Sequence, residues 1–366
     1  MTQDLPRTPR LTDRVAIIGA GPAGLTMAEE LRLAGYRAVT ILEARGRVGV
    51  PCEAGTVWRV DAPIYRRYAD RFGIQCRSPP RRPAIRVSDA EDEGRSLPPL
   101  LLPTNTPLLR RLAQITRYLV NIERMRRLDS PGFAGPLFQR PDLALSMPAW
   151  FDAHGLGHVY RTIGAVLVNA SIGRPSDTIP FPYLLKLLLL LQRYDLRSQL
   201  TLALPYFREG NNALWRAVAA RSDVRHSITA RRIERGAPTR VITTQGTLEA
   251  DHVVWTGPLD ALSRVLDPQL DSDGVFAHAA SRLRTLKRVV VTCRTEGLPS
   301  PLFLQAQGHH RRAPNYPVSA FEVAPGAKLH NFYAFLRFAD HDGASLTVDE
   351  VTQGIERMVL DLGGRL

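Results

Sequence analysis

The chain has 366 residues, 44% of them hydrophobic and 23% charged, the proportions of a globular protein with one or two intimately joined domains. A formal charge of +13 invites a nucleic-acid or acidic-membrane partner, yet Lys186, Lys287 and Lys328 are the lysines and the remaining basic residues are scattered arginines, a dispersal that argues against nucleic-acid binding. Cys52, Cys76 and Cys293 have neither metal-type spacing nor even pairing, which excludes a cysteine-built metal centre or disulfide framework and fits a reducing, cytoplasmic setting.

The N-terminus, MTQDLPRTPRLTDR, is polar, so no secretory signal is expected. RVAII, 14–18, is the short apolar run of a strand buried on both faces. Gly19-Ala-Gly21-Pro22-Ala23-Gly24 comes next and opens a helix. Ala23, Met27, Leu31 and Ala34 recur on one face of it, and Gly35 is placed to end it. RAVTIL, 37–42, is a second strand with Glu43 at its end. A Pro/Arg-rich section runs from Ser78 to Pro107, its acidic cluster Asp89 to Glu93 reading as a solvated hairpin tip. Residues 108–128 form a helix and 142–220 several more, one of them entered with Ser146 as cap and Pro148 in the first turn. FPYLLKLLLLL, 181–191, is too short to span a bilayer and is interrupted by Lys186. It reads as a buried helix, with a channel lining or a peripheral membrane contact as the alternatives. From Asp223 the period changes to strands (VRHSITARRIER, TRVITTQGTLEADHVVWT), and LKRVVVTCRT and KLHNFYAFLRFA continue them before a helix over 348–360.

The expected fold is α/β. A dinucleotide-binding Rossmann-type domain, with a parallel sheet flanked by helices, takes residues 1–77 and 206–262. An inserted α+β substrate domain takes 78–205 and 263–366.

Each glycine of the first motif has a mechanical purpose. Gly19 allows the tight turn out of the strand, Gly21 lets backbone approach a pyrophosphate, and Gly24 lets helix and strand pack closely. The phosphates would rest on free N–H groups at the positive end of the helix, beside Pro22 and Ala23. Glu43, nineteen residues beyond Gly24, can accept both ribose hydroxyls and would repel a 2′-phosphate, which argues against NADP. NAD and FAD share this unit, so the residues directly after Glu43 decide between them. His154 and His158 stand four apart without an evident third ligand and read as surface or packing residues; no metal site is expected. No side chain stands out as a general acid or base.

EARGRVG, 43–49, adds Arg45 and Arg47 directly after the ribose carboxylate, and here the chain resembles the flavin amine oxidase superfamily. In pattern it is most similar to the bacterial polyunsaturated fatty acid isomerases, over roughly residues 14–360, through PFPYLLKLLLLL, FREGNNALWRAVAARSDVRHSITARRIER and ADHVVWTGPLDALSRVL. The resemblance implies an FAD enzyme in which Glu43 binds the adenosine ribose and Arg47 lies close to the phosphates. Ala44 and Arg45 would border the adenine. It further implies a helix from Gly210 to Leu214 beside the flavin, Ile228 backbone groups toward the adenine, and Thr256 and Pro258 near the cofactor. The implied chemistry is hydride movement between flavin N5 and an apolar small molecule, a fatty acid or similar. One of Arg81, Arg82 or Arg86 would hold its carboxylate, and Tyr183 and Trp215 would be pocket walls.

Two departures modify this expectation. Val50-Pro51-Cys52 comes after Gly49 where the family has a second glycine and a hairpin over the flavin, as if the hairpin were deleted before Glu53-Ala54-Gly55. The family's C-terminal flavin-binding segment also finds no counterpart after Asp340. Three readings stay open: an FAD oxidoreductase or isomerase whose flavin site is completed by a second chain or a homo-oligomer, a non-catalytic complex subunit, and an NAD-dependent oxidoreductase.

Overall fold

Val15–Ile18 is buried at every position and forms β1, the strand around which the first part of the molecule is organised. The structure is a computed structural model. It describes residues 9–49, 63–77, 84–89, 92–96, 106–129, 135–160, 180–192, 206–271, 274–282, 288–298, 302–307, 319–322, 328–335 and 347–366. Two compact units divide the chain: Met1–Glu53, Tyr68–Gln75 and Phe207–Thr285 in the first, Ala54–Arg67, Cys76–Tyr206 and Leu286–Leu366 in the second. The first unit thus includes residues 263–285, which the sequence reading places in the substrate domain.

In the first unit, β1 lies between β2 (Val39–Leu42) and β11 (His252–Trp255), with β7 (Asp223–Arg225) outside β2, and every pairing is parallel. A three-stranded antiparallel meander comes after β7: β8 (Ala230–Glu234), β9 (Thr239–Thr243) and β10 (Gly246–Ala250). Ala230, Val241 and Ala250 bury against Ala16, Ile18 and Leu42, so the meander covers one face of the parallel sheet. Helix α7 (Asn211–Ala219) precedes β7, while α8 (Leu259–Val265) and α9 (Val275–Arg282) come after β11.

Helix α1 (Pro22–Leu33) connects β1 to β2. It ends as Gly35 predicts: the glycine sits at φ +97°, its N–H donates to Arg32 O, and Tyr36 N–H donates to Leu31 O. The buried stripe of α1 differs from the predicted one. Gly24, Leu25, Ala28 and Glu29 are buried, whereas Ala23 is exposed and Met27 is 39% exposed. The shift arises because a carboxylate belongs to the inner face. Glu29 is fully buried, gripped by Nε and Nη2 of Arg32 at 2.8 and 2.9 Å and by Arg71 at 3.0 Å. Arg71 comes from α2 (Pro63–Phe72), whose Tyr68 hydroxyl also donates to Glu30 at 2.8 Å. The guanidinium of Arg32 holds the Glu29 carboxyl below its ordinary range, against the burial that opposes ionisation, and Arg71 adds to it.

The second unit has a helical layer and a sheet. Helix α3 (Leu108–Arg127), α4 (Met147–Ala153), the single turn α5 (Gly157–Val159) and α6 (Phe181–Gln192) share a core of Tyr118, Ile122, Trp150, Phe151, Leu184 and Leu185. Trp150 stacks on Phe181 at 3.8 Å between centroids and on His154 at 4.1 Å, so this histidine is a packing residue. His158 is fully buried. Leu189 also buries in that core, and Lys186, which interrupts the leucines, pairs with Asp129 and lies over the Phe138 ring. The inward leucines of 181–191 therefore pack the protein interior.

The sheet has six strands, in the order β12 (Arg288–Arg294), β15 (Leu329–Phe335), β14 (Ser319–Glu322), β13 (Leu302–Gln307), β4 (Ala84–Asp89) and β5 (Asp92–Ser96). β4 and β5 form the expected hairpin, and helix α10 (Val348–Asp361) packs Val351, Ile355 and Met358 onto Phe332 and Ala334. The two-residue strands β3 (Cys76–Arg77) and β6 (Tyr206–Phe207) pair with each other. Among the described residues no helix is long and apolar enough to cross a membrane, and no group of three His, Cys, Asp or Glu side chains could hold a metal ion.

Candidate functional site

The site grows from the turn between β1 and α1, wholly within the first unit. Gly19 leaves the strand at φ +109°, and its N–H donates to Leu42 O at 2.8 Å, fixing the turn to the end of β2. A Cβ on Gly24 would stand 1.9 Å from Gly19 O, so glycine here is a packing necessity between helix and turn. Gly21 is different: a Cβ there would meet nothing within 4 Å. Its absent side chain leaves open space against the helix start rather than relieving a clash.

That helix start is electrostatically unsatisfied. Gly21 is the N-cap without a side-chain cap, Pro22 contributes no N–H, and no acidic residue occupies the first turn of α1. The N–H groups of Ala23 and Gly24 have no intrahelical acceptor, and the positive end of the helix faces the space beside Gly21 without a carboxylate of its own. A pyrophosphate-type anion is the complementary occupant.

Glu43 closes one side. Its Oε2 accepts from Ala20 N–H and its Oε1 from Arg45 N–H, both at 2.8 Å. One hydrogen bond to each oxygen leaves lone pairs on both, so the carboxylate is immobilised and can still accept hydroxyl protons. The loop after it is stitched to the chain beyond β7: Glu43 N–H donates to Arg225 O, Ile228 N–H to Glu43 O, and Ser227 N–H to Arg45 O. Ile228 therefore has its N–H committed inside the protein, and its carbonyl is what it could offer a ligand. Ala44, Arg45 and Arg47 are exposed on this loop.

Thr256 behaves as a strut. Its hydroxyl donates to Ile18 O at 2.8 Å, with Gly19 O 3.2 Å away, and lies 2.8 and 2.9 Å from where side chains on Gly19 and Gly24 would begin. It shapes the glycine turn from behind, and Pro258 caps the next helix, α8.

The other side comes from Gly49 and from the helix that the resemblance implies from Gly210 to Leu214, where the sequence reading gave the two asparagines no individual role. Gly49 sits at φ +88°, its N–H bonded to Ala20 O at 2.9 Å, and a Cβ there would fall 2.2 Å from Asn212 Oδ1 and 3.2 Å from Trp215 Cβ. Asn211 and Asn212 open α7 after Gly210, itself at φ +80° and without a side-chain cap. Both asparagines are buried, and neither the oxygen nor the nitrogen of the Asn211 amide has a hydrogen-bond partner. A buried amide with two unmet groups is costly and points to a polar ligand. The signal was in the sequence as EGNNAL, where two amides replace the apolar residues expected at a buried helix start.

Trp215 is 4% exposed and packs beside Gly49. Tyr183 is 54% exposed on α6, and Arg86 lies on β4, so these two belong to different layers of the second unit. Arg81, Arg82 and the segment Val50 to Gly55 fall outside the described residues.

Residues 17–66 match an NAD(P)-binding Rossmann-like domain, and residues 87–347 match the flavin containing amine oxidoreductase family. No curated protein matches significantly. Among solved structures, a CLA-producing fatty acid isomerase from P. acnes superimposes with a TM-score of 0.74 at 18% identity, over 98% of this chain and 84% of that one. A putrescine oxidase bound to putrescine gives 0.68 at 18% identity, over 97% and 82%. Cyclohexylamine oxidase from Brevibacterium oxydans IH-35A gives 0.64 at 17%, over 95% and 81%. At such identities the likeness is one of fold. The family match spans well over half of the sequence, and the chain belongs to the flavin containing amine oxidoreductase family, as an FAD-dependent oxidoreductase.

Proposed function

We propose that this enzyme acts on the hydrocarbon portion of an apolar acid, with a polyunsaturated fatty acid as the substrate class. The reading is supported by the fold likeness to a fatty acid isomerase across 98% of the chain. It is supported also by the family match over residues 87–347, which assigns the redox work to a flavin.

The observation that carries the cofactor assignment within this site is the combination of open space at Gly21 with the unpartnered, buried amide of Asn211. Gly21, Ala23 and Gly24 would hold the diphosphate through backbone N–H groups, with Pro22 fixing the helix start. Glu43 would hold the ribose hydroxyls, with Ala44 and the Ile228 carbonyl bordering the adenine side and the guanidinium groups of Arg45 and Arg47 adding positive charge. Asn211 would meet a polar edge of the same cofactor. Bound FAD supplies hydride acceptance at N5. The protein's own contribution is to orient, to exclude water through packed residues such as Trp215, and to anchor a carboxylate, for which Arg82 and Arg86 are the candidates.

The test uses purified protein carrying its flavin, incubated without oxygen with a free polyunsaturated fatty acid, putrescine or cyclohexylamine. The expected result is double-bond migration or flavin bleaching with the fatty acid, and no response to either amine. Bleaching by an amine with no change in the fatty acid overturns the substrate class. Protein that cannot take up FAD but is stabilised by NAD overturns the cofactor reading of the site.

A further inference from the structure

Helix α3 is buried along Gln114, Tyr118, Ile122 and Met125. On a wheel of 100° per residue, those positions centre opposite Leu109, Leu112, Ala113, Thr116 and Val120, and the same face ends in the last turns with Glu123 and Arg127, paired to each other at 3.4 Å. The outward face should be polar for a helix that contributes one face to a core. Instead Leu109 is 81% exposed, Leu112 47% and Val120 45%, with Ala113 and Thr116 exposed between them. Leu108, next to the stripe, is 56% exposed. One border of the stripe carries Arg110, Arg117 and Arg124, all exposed and spaced seven residues apart, so they form a row along the helix. Arg117 also reaches His154 O at 3.3 Å, which holds the middle of that row against the helical layer.

We infer that this face of α3 is a docking surface for an anionic lipid bilayer. Three features select that occupant. The apolar stripe begins at the helix start with leucines, side chains suited to shallow insertion below headgroups. An arginine row along its edge can keep guanidinium groups at phosphate level while the leucines enter. The chain's formal charge of +13 adds attraction to a negative surface and disfavours a second copy of itself. The helix is too polar on average to enter the bilayer, so it lies in the interface. The surface belongs to the second unit and is independent of the flavin site and of the substrate proposed for it.

The test is co-sedimentation of the flavin-loaded full chain with vesicles of phosphatidylcholine alone, or with about one-third phosphatidylglycerol. Leu109→Asp/Leu112→Asp and Arg110→Gln/Arg117→Gln/Arg124→Gln variants are compared with the parent. The parent is expected to bind the anionic vesicles, to bind pure phosphatidylcholine about tenfold less, and to lose binding at high salt. The leucine variant should fall at least about tenfold with unchanged thermal unfolding because its side chains are exposed, and the arginine variant about tenfold or more, with unfolding lowered only by the lost Arg117 bond to His154 O. Equal binding of parent and leucine variant overturns the inference, as does failure of the parent to bind anionic vesicles at low salt. A leucine-dependent dimer in solution with no vesicle binding overturns it in favour of self-association.

Discussion

Alanine at Gly21 separates a glycine needed by a ligand from one needed by the fold. Gly21 has φ −74° and ψ 177°, extended backbone that alanine adopts freely, and its new Cβ would meet no atom within 4 Å. Replacing glycine at an N-cap costs a few tenths of a kcal/mol or somewhat more, while the stiffer unfolded chain returns about 0.4–1 kcal/mol. Stability of the apoprotein should therefore stay within about 0.5 kcal/mol of the parent. Affinity for FAD should not. The added methyl occupies the space beside the free N–H groups of α1, and losing one charge-assisted hydrogen bond there costs about 1.5–3 kcal/mol, a Kd raised about tenfold to a hundredfold. Gly24→Ala is the control: its Cβ falls 1.9 Å from the backbone oxygen of Gly19, and the forced separation should cost about 3 kcal/mol or more even without cofactor. The assay is thermal unfolding of apoprotein with and without FAD, joined to a flavin absorbance titration. With FAD at about a hundred times the parent's Kd, linkage stabilises the parent by about 2.7 kcal/mol, and a variant a hundredfold weaker by about 0.4 kcal/mol. If Gly21→Ala binds FAD within about twofold of the parent, or its apoprotein unfolds as readily as Gly24→Ala, the cradle reasoning is refuted.

Thr256→Val tests the strut: Ile18 O keeps the residue-256 N–H as a donor, so loss of the hydroxyl bond should cost about 0.5–1.5 kcal/mol of apoprotein stability, whereas unchanged stability with weakened FAD binding would make the hydroxyl a direct ligand contact instead. Glu29→Gln keeps the shape of a buried group but removes the charge that faces Arg32 and Arg71, and because both arginines are partly solvated the loss should be about 1–2 kcal/mol in urea unfolding near neutral pH. Since the Glu29 carboxyl is held below its ordinary range, this contribution is present above that range and disappears on acidification, so parent and Gln variant should converge in acid. His330 gives the opposite chemical case. It is 2% exposed on β15, its Nδ1 is 2.7 Å from the Thr295 hydroxyl, and burial pushes its pKa from 6.5 down to about 4. Between those values the unfolded chain binds the extra proton. Its stability contribution is therefore full above the unfolded value and falls as pH drops through the folded one, by up to about 3 kcal/mol in all. Unfolding of His330→Gln from pH 7 to 4 should lack that part of the slope; an identical slope would refute it.

The parts of the fold that were legible are those whose signals are local. A four-residue apolar strand, a glycine turn, a helix closed by Gly35 and a second strand each need only neighbours in sequence, and they form over Val15–Ile18, Pro22–Leu33 and Val39–Leu42. The inner face of α1 was misread because the face contains Glu29, whose burial depends on Arg71, far along the chain, as well as on Arg32 one turn away. The leucine run shows the converse. A lysine within an apolar helix looks like an interruption until Asp129 and the Phe138 ring are found around it.

The candidate site divides along the same line. Gly19, Gly21, Gly24 and Glu43 stand in one supersecondary unit, so their spacing alone announces the adenosine and phosphate half of a dinucleotide site. Asn211 and Asn212 are more than a hundred and fifty residues away, and nothing in their own neighbourhood explains two buried amides at a helix start. Their meaning comes from Gly49, whose left-handed backbone carries it against Asn212 without room for a side chain. That contact gives ILEARGRVG a second purpose. Its first residues fix the Glu43 carboxylate between Ala20 and Arg45 N–H groups, and its last glycine lets α7 approach the loop at Asn212. A substitution at Gly49 would therefore be felt first at Asn212 and Trp215 on α7, which accounts for a glycine at 49 although Val50 takes the place of the one expected after it.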